Sequence, residues 1–517
     1  MAPRQQQPCQ QQPCQQQPCH RRLRDFVRRA LPPAGLRPAR SAIHNDGGRG
    51  PDAKLANPQL TNSQVRDIET LIHPYTNLAA HRETGPLVLE TGSGVFVRDA
   101  AGKDYIEGMA GLWCTSLGYS NAELVEAARE QMMKLPFTHL FSGRSHDPAI
   151  ELAEKLKEIA PVPTSKIFYG SSGSDANDTQ VKLVWYMNNA LGRPKKKKII
   201  ARLKGYHGVT VASASLTGLP YNHIDFDLPL AGILHTSCPH HYRYGEPGET
   251  EEAFSARMAA ELEEMILREG PDTVAAFIAE PVMGAGGAIT PPRGYFEAIQ
   301  AVLGRYDVLM IADEVITGFG RTGEWFGSTA VGYKPDTLSC AKALTSAYFP
   351  LSAVFIPDHV NDILVDQSRK LGTFGHGNTY AGHPVGCAEA LKTIEIYERD
   401  GILAHFRAMS PHFLARLERL ALHPMVGEAR GMGLIGGIEF VKDKATKAQF
   451  EVKKGVAAKA CFFAQEEGLI VRPLSGDRVA FCPPLIINRA EIDEMFDRFE
   501  RALARTLNWT RAEGLLV

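Results

Sequence analysis

The sequence predicts an α/β protein with a mainly parallel sheet, followed by a smaller α+β region. Through the middle of the chain, short apolar runs alternate with helix-length amphipathic segments, as a parallel sheet with crossover helices requires. The later part changes character, with long helical patterns around only two apolar runs. Acidic residues and Gly/Ser turns stand at the ends of several apolar runs, where open α/β sheets bind ligands.

Taken in order, residues 94–99 and 102–106 alternate like two short strands joined by a turn. Residues 121–135 have helical spacing, with Leu124, Ala127, Ala128 and Met132 on one face. Ile167-Phe168-Tyr169 leads into a Gly/Ser turn and a helical stretch over 176–189. Residues 274–279, 308–312 and 353–356 read as buried strands, accompanied by amphipathic segments such as 252–268 and 295–306. Helical patterns at 388–399, 409–420 and 456–467 surround strands at 436–441 and 478–481. Before residue 55 the text differs. Three Gln-Gln-Gln-Pro-Cys repeats precede an Arg-rich stretch, a composition that buries little apolar surface and predicts disorder or a targeting-like extension.

Composition excludes several classes. Of 517 residues, 44% are hydrophobic and 22% charged, which suits a soluble globular protein. A net charge of -1 gives no general attraction to nucleic acid or acidic lipid. The run Lys195–Lys198 lacks interleaved aromatics and reads as a solvated loop. No apolar stretch reaches the roughly 18–20 residues that cross a bilayer. Outside the repeat the cysteines are scattered without a Cys-x-x-Cys pair, so neither a disulfide framework nor a zinc site is expected. That pattern points to a reducing compartment. The cytoplasm is the expectation, with the mitochondrial matrix as the alternative if the Arg-rich stretch is a transit segment.

Three elements carry chemistry. Tyr169-Gly170-Ser171-Ser172-Gly173-Ser174 places a turn and a helix start after a strand, which aims backbone N–H groups at one point and suits a phosphate. Asp313-Glu314 ends a buried strand, as a metal ligand, a partner for a ligand cation, or a simple cap. Lys342 follows a short apolar run among small residues, where desolvation favours the neutral, nucleophilic amine. Singly, each fits a turn, a cap or a snorkelling lysine. Together, a phosphate cradle, a carboxylate and a lysine are what a pyridoxal-phosphate site needs.

With Ile311-Ala312-Asp313-Glu314-Val315, Gly318-Phe319-Gly320-Arg321-Thr322-Gly323 and Ala341-Lys342-Ala343-Leu344, the chain resembles the class III aminotransferases. Tyr206-His207-Gly208, Ala279-Glu280-Pro281-Val282 and His376-Gly377-Asn378-Thr379-Tyr380 extend the likeness, which covers about residues 60–505. Within the class it is most similar to ω-amino acid, amine–pyruvate and plant-type 4-aminobutyrate transaminases. The resemblance implies the fold-type I arrangement. Its expected parts are an extension (1–55), a segment packing with the small domain (56–115), a large cofactor-binding domain (116–371) and a small domain (372–517). It implies that Gly173 and Ser174 hold the phosphate, with Thr379 from a partner subunit. Tyr206 and Val315 flank the ring, Asp313 pairs with its nitrogen, and Lys342 holds the cofactor covalently. Trp113, Phe141 from across a dimer, and Arg472 line the substrate pocket, with Glu280 in support. Arg472 matches an arginine that pairs with a substrate carboxylate. The implied partners are a small-molecule amine donor and a keto-acid acceptor, pyruvate above all, in a ping-pong reaction by a homodimer or larger homo-oligomer.

Rival readings keep the same residues. A racemase, mutase or decarboxylase would use the same lysine, whereas a non-catalytic binding protein would be expected to lose Lys342 or Asp313, and both are present. A metal enzyme built on Asp313-Glu314 lacks further ligands at usable spacing, and the histidines at 207, 223, 235, 240 and 241 do not supply it, so no metal is expected. Gly431–Gly437 resembles a nucleotide loop without its helix and reads instead as glycine where strands pack closely.

Overall fold

Residues 60–516 are described by a computed structural model. The repeat and the Arg-rich stretch lie outside the described residues. The chain divides into two compact units, Met1–Pro86 and Leu87–Val517.

Two short helices make up most of the described part of the first unit. Thr61 caps helix Asn62–Thr70 through a reciprocal capping box with Gln64. Asn77 caps helix Leu78–Thr84 by accepting from the N–H groups of Ala79 and Ala80. Neither helix contains a buried residue.

The second unit begins with three antiparallel strands, β1 (Leu89–Ser93), β2 (Phe96–Asp99) and β3 (Asp104–Glu107). A seven-stranded sheet follows: β4 (Lys166–Gly170), β5 (Lys198–Arg202), β6 (Ile233–Thr236), β7 (Val274–Ala279), β8 (Leu309–Asp313), β9 (Thr337–Cys340) and β10 (Ser352–Ile356). Their spatial order is β4-β10-β9-β8-β7-β5-β6. All pairs are parallel except those made by β10, which runs against both neighbours. Later come β11 (Val426–Met432), β12 (Ile435–Phe440), β13 (Leu469–Ile470), β14 (Arg472–Leu474) and β15 (Arg478–Phe481). The last four-stranded sheet is ordered β11-β12-β15-β14, while β13 instead pairs in parallel with β3.

The central strands are apolar because helices cover both faces of the sheet. All six residues of β7 are buried. Their alternation sends Phe277 and Ala279 into one core, with Met310 and Phe355, and Ala276 and Ile278 into the other, with Ile199 and Ile311. Val181 and Val184 of helix Gly173–Ala190 close that second face. Crossover helices between the strands bring successive carboxyl ends to the same side.

Several sequence expectations shift in detail. Helix Ala122–Lys134 forms with Asn121 as its cap, but Met132 is 48% exposed and Gln131 is buried in its stead. Gln131 donates from Nε2 to the carbonyl of Leu135, satisfying both the amide and a helix-end acceptor. The lysine run is no solvated loop. Lys198 opens β5, and Lys196 is buried, with its Nζ 3.1 Å from the Tyr306 carbonyl and 3.5 Å from Asp307 Oδ2. The 409–420 pattern belongs to a longer helix, Ile402–Arg419, with Pro411 inside it. The glycine run forms the β11–β12 hairpin, where Gly433 adopts φ +64° and a Cβ at Gly436 would strike Leu417.

The two faces of the first long helix give a direct check. Leu124→Ala should cost about 2–5 kcal/mol, whereas Met132→Ala should change stability by less than about 0.5 kcal/mol. Urea unfolding of the two variants separates these values.

Candidate active site

The carboxyl ends of β7, β8 and β9 converge on a cavity of about 340 Å³. Gly173, Ser174, Tyr206, Glu280, Asp313, Val315 and Lys342 all line it. That volume suits a small ligand buried on most sides.

Asp313 is the last residue of β8 and is 4% exposed. Its Oδ2 accepts from Asn177 Nδ2 at 2.7 Å and faces His207 Nδ1 at 2.8 Å, while Oδ1 accepts from the N–H of Val315 at 3.1 Å. Asn177 also donates to the His207 carbonyl, so one amide fixes both carboxylate and histidine. The neighbouring Glu314 is turned the other way. It accepts the N–H groups of Gly327 (2.8 Å) and Ser328 (2.7 Å) and the hydroxyl of Thr317. The pair therefore splits into one carboxylate on the cavity and one that anchors the next loop, which removes the shared metal site considered above.

Lys342 follows β9 by two residues and opens a single 3₁₀ turn, Lys342–Thr345. Its φ is +49°, and Ser346 and Ala347 are also left-handed at +49° and +64°. Such backbone is costly for residues with a Cβ and concentrates at functional sites. Burial pushes the amine below the usual lysine range, against the pull of Cys114, Asp313 and Glu280, and Arg472 adds a smaller push the same way.

The third wall is a helix start. Ser172 caps Gly173–Ala190 with Asp175 in a reciprocal box. Asp175 also takes the N–H of Ser171 and the hydroxyl of Ser352, so the turn is held from three sides. The N–H groups of Gly173 and Ser174 donate to nothing among the described residues and stand at the positive end of an 18-residue helix. A Cβ on Gly173 would come within 2.7 Å of Val315 Cγ1, so this glycine lets the helix end approach Val315. Ser174 Oγ accepts from the N–H of Val209 at 3.1 Å. Glu280 follows β7, and its two oxygens accept the N–H groups of Tyr206 (3.0 Å) and Gly284 (2.9 Å). Burial pushes its carboxyl up.

Four of the expected residues do not line the cavity. Trp113 is buried in an apolar cluster with Met109, Ile316, Ile435 and Leu474, of which Ile316 lines the cavity. Arg472 opens β14, half-buried, and its guanidinium makes no hydrogen bond or ion pair among the described residues. Phe141, 45% exposed, lies against Gly377, and Thr379 is exposed in the same loop.

Sequence reading gave no site role to Asn177, His207, Cys114 or Glu107. Asn177 is a polar residue on an otherwise buried helix face, and His207 sits inside a quoted motif, so both left a signal. Glu107 left little. It is the buried end of β3, and it accepts the N–H of Gly111. Gly111 belongs to a kinked stretch in which Ala110, Gly111 and Trp113 all have positive φ. That stretch leads directly to Cys114 on the cavity wall.

Against this geometry the family can be read. The class III aminotransferase model matches residues 78–503. The chain is 50% identical over 457 residues to "Gamma-aminobutyrate transaminase 1, mitochondrial" of Oryza sativa subsp. japonica, covering 88% of each. It is 49% identical to "Gamma aminobutyrate transaminase 3, chloroplastic" of Solanum lycopersicum, covering 85% of this chain and 84% of that one. Among solved structures, the ω-transaminase of Pseudomonas jessenii in complex with PMP superposes with a TM-score of 0.85 at 53% identity, covering 87% and 99%. The chain belongs to the class III aminotransferases. It is therefore a fold-type I, pyridoxal-phosphate-dependent transaminase that moves amino groups between small-molecule amines and keto acids.

Burial pushes the Glu107 carboxyl up to about 8, from an ordinary 4.5. The folded protein thus holds a proton that the unfolded chain releases, and this group's share of stability falls as pH rises from about 4.5 to about 8. Glu107→Gln removes that dependence. Thermal unfolding at the two ends of this range should show a smaller drop in Tm for the variant than for wild type.

Proposed function

We propose that this enzyme takes nitrogen from an ω-amino acid or primary amine and passes it to a keto acid, with pyruvate the acceptor, in two half-reactions. The observation that carries this reading is the meeting of Lys342, Asp313 and the free helix start at Gly173-Ser174 on one cavity. These residues fit pyridoxal phosphate. The helix N-terminus and Ser174 suit its phosphate, Tyr206 and Val315 its two faces, Asp313 its ring nitrogen and Lys342 its aldehyde. When bound, the cofactor supplies an electron sink that loosens a C–H bond on the substrate's amine-bearing carbon.

The chain's own residues do the rest. Asp313, oriented by Asn177 and His207, presents its carboxyl group where a protonated ring nitrogen needs a partner. The depressed amine of Lys342 is neutral over more of the pH range than an exposed lysine, so it can take the substrate proton and return it. Glu280 holds the Tyr206 backbone, which sets the angle of the ring wall. Arg472 has no hydrogen-bond or ion-pair partner to give up among the described residues, which leaves its fork available to a substrate carboxylate.

Donor and acceptor classes draw on the relatives, named as γ-aminobutyrate and ω-transaminases. Exposure of Phe141 and Thr379 outside the cavity wall supports a homodimer in which each completes the partner's site. Trp113 would then bound the substrate end through the apolar cluster that it shares with Ile316. No helix among the described residues is long and apolar enough to cross a membrane. The location proposed is the cytoplasm, or the mitochondrial matrix if the Arg-rich stretch is a transit segment, and the mitochondrial naming of a relative supports the second.

Visible spectra test the reading. Holoenzyme should be yellow, bleach with 4-aminobutyrate or a primary amine, and recover on adding pyruvate, while Lys342→Ala should lack the covalent cofactor and fail to cycle. A protein that stays colourless with pyridoxal phosphate overturns the assignment. Arg472→Ala should raise KM for carboxylate substrates about 10- to 150-fold, the worth of a lost charged hydrogen bond of roughly 1.5–3 kcal/mol. Its KM for an uncharged amine such as a simple alkylamine should stay within about twofold of wild type, on the same argument. Recovery with 2-oxoglutarate but not pyruvate would correct the acceptor.

A further inference from the structure

The first unit contains a constellation that amino transfer does not use. Helices Asn62–Thr70 and Leu78–Thr84 bury no residue, and helices of 9 and 7 residues are marginal on propensity alone. Short segments without a core are commonly held by a disulfide or a metal. At the centre of this one, His73 Nε2 lies 2.7 Å and His81 Nε2 3.2 Å from the same oxygen, Asp67 Oδ1. The ring centroids of the two histidines are 4.3 Å apart. The three side chains are 31%, 9% and 16% exposed, for His73, His81 and Asp67 respectively, so the point of convergence is partly shielded but reachable.

We propose that Asp67, His73 and His81 form a binding site for a divalent transition cation, with zinc the best match. Two imidazole nitrogens, which are borderline donors, with one carboxylate oxygen suit zinc, cobalt or nickel, whereas magnesium and calcium prefer all-oxygen sets. The three donor atoms lie within 4.8 Å of one another. Tetrahedral bonds of about 2.0 Å place ligand atoms about 3.3 Å apart, so the 2.7 Å separation of His73 from Oδ1 needs to open by about 0.6 Å and the 3.2 Å separation of His81 by about 0.1 Å. Binding needs each Nε2 lone pair, hence the Nδ1–H tautomer. Neither Nδ1 has a hydrogen-bond partner among the described residues, so each is free to carry the proton. With three protein ligands, a fourth position remains for water. The cation would tie the first helix, the turn and the second helix at one point. Among the described residues, His240 with Glu428 and Glu439 also brings three such donors together, but it is a poorer match, because Arg430, Arg478 and Arg243 already pair with its carboxylates.

The test uses full-length holoenzyme, stripped with a chelator and titrated with Zn²⁺ against a chromophoric zinc indicator. Wild type should bind one more equivalent per chain than His73→Gln/His81→Gln, with the same visible cofactor absorbance in both. Asp67→Asn, which keeps the side chain's shape, should weaken that equivalent at least tenfold. Limited proteolysis between residues 60 and 86 should slow with Zn²⁺ in wild type alone. Equal equivalents in wild type and the double variant, or no tight equivalent in wild type, overturn the proposal. Retained cofactor absorbance keeps this outcome separate from any failure of the transaminase reading.

Discussion

The arrangement depends on a carboxylate held almost out of water at the end of a central strand. A buried polar group is costly unless hydrogen-bonded. Asp313 receives three such contacts, from Asn177, His207 and the Val315 N–H. Each comes from a different part of the second unit: a helix, the segment after β5, and the turn after β8. The sheet order places these parts together, since β8 lies between β7 and β9 and all three point the same way. The site is thus a consequence of parallel strands ending on one side, with the helix Gly173–Ala190 starting there too.

Four buried carboxyl groups near this end have separate tasks. Asp313 faces the cavity, Glu314 anchors the loop beyond it, Glu280 holds the Tyr206 backbone, and Glu107 secures the kinked stretch before Cys114. Burial pushes Glu280, Glu314 and Glu107 upward, and each offsets part of that cost by accepting backbone N–H groups. Rigid backbone around the lysine follows from the same economy of contacts: residues at positive φ persist only where neighbours over-determine them. Leu117, for example, donates its N–H to Ser346 Oγ beside the lysine turn.

Much of this was legible in the sequence, for a physical reason. Strands buried on both faces must be continuous apolar runs, so β7, β8 and the antiparallel β10 announced themselves within a residue or so. The phosphate-type turn, Asp313 and Lys342 stood at strand ends, where ligand sites form. What stayed hidden was direction. Periodicity could not say that Gln131 rather than Met132 turns inward, because a local hydrogen bond to Leu135 decides it. Nor could it separate Asp313 from Glu314, whose opposite orientations follow from the strand's pleat. Lys196 looked like part of a solvated charge run, yet its burial is set by the distant Tyr306 carbonyl and Asp307. Long-range partners of this kind leave no local pattern.

The most direct measurement is the half-reaction of Asp313→Asn, reconstituted with pyridoxal phosphate and mixed with 4-aminobutyrate in a stopped-flow spectrometer. If the buried carboxylate is what makes the cofactor an electron sink, the variant should bind cofactor with its visible absorbance but bleach at least about a hundredfold more slowly than wild type, a loss of roughly 2.7 kcal/mol or more in the transition state. Bleaching at the wild-type rate would contradict the account, because the interaction on which the site is built would then contribute nothing to the chemistry.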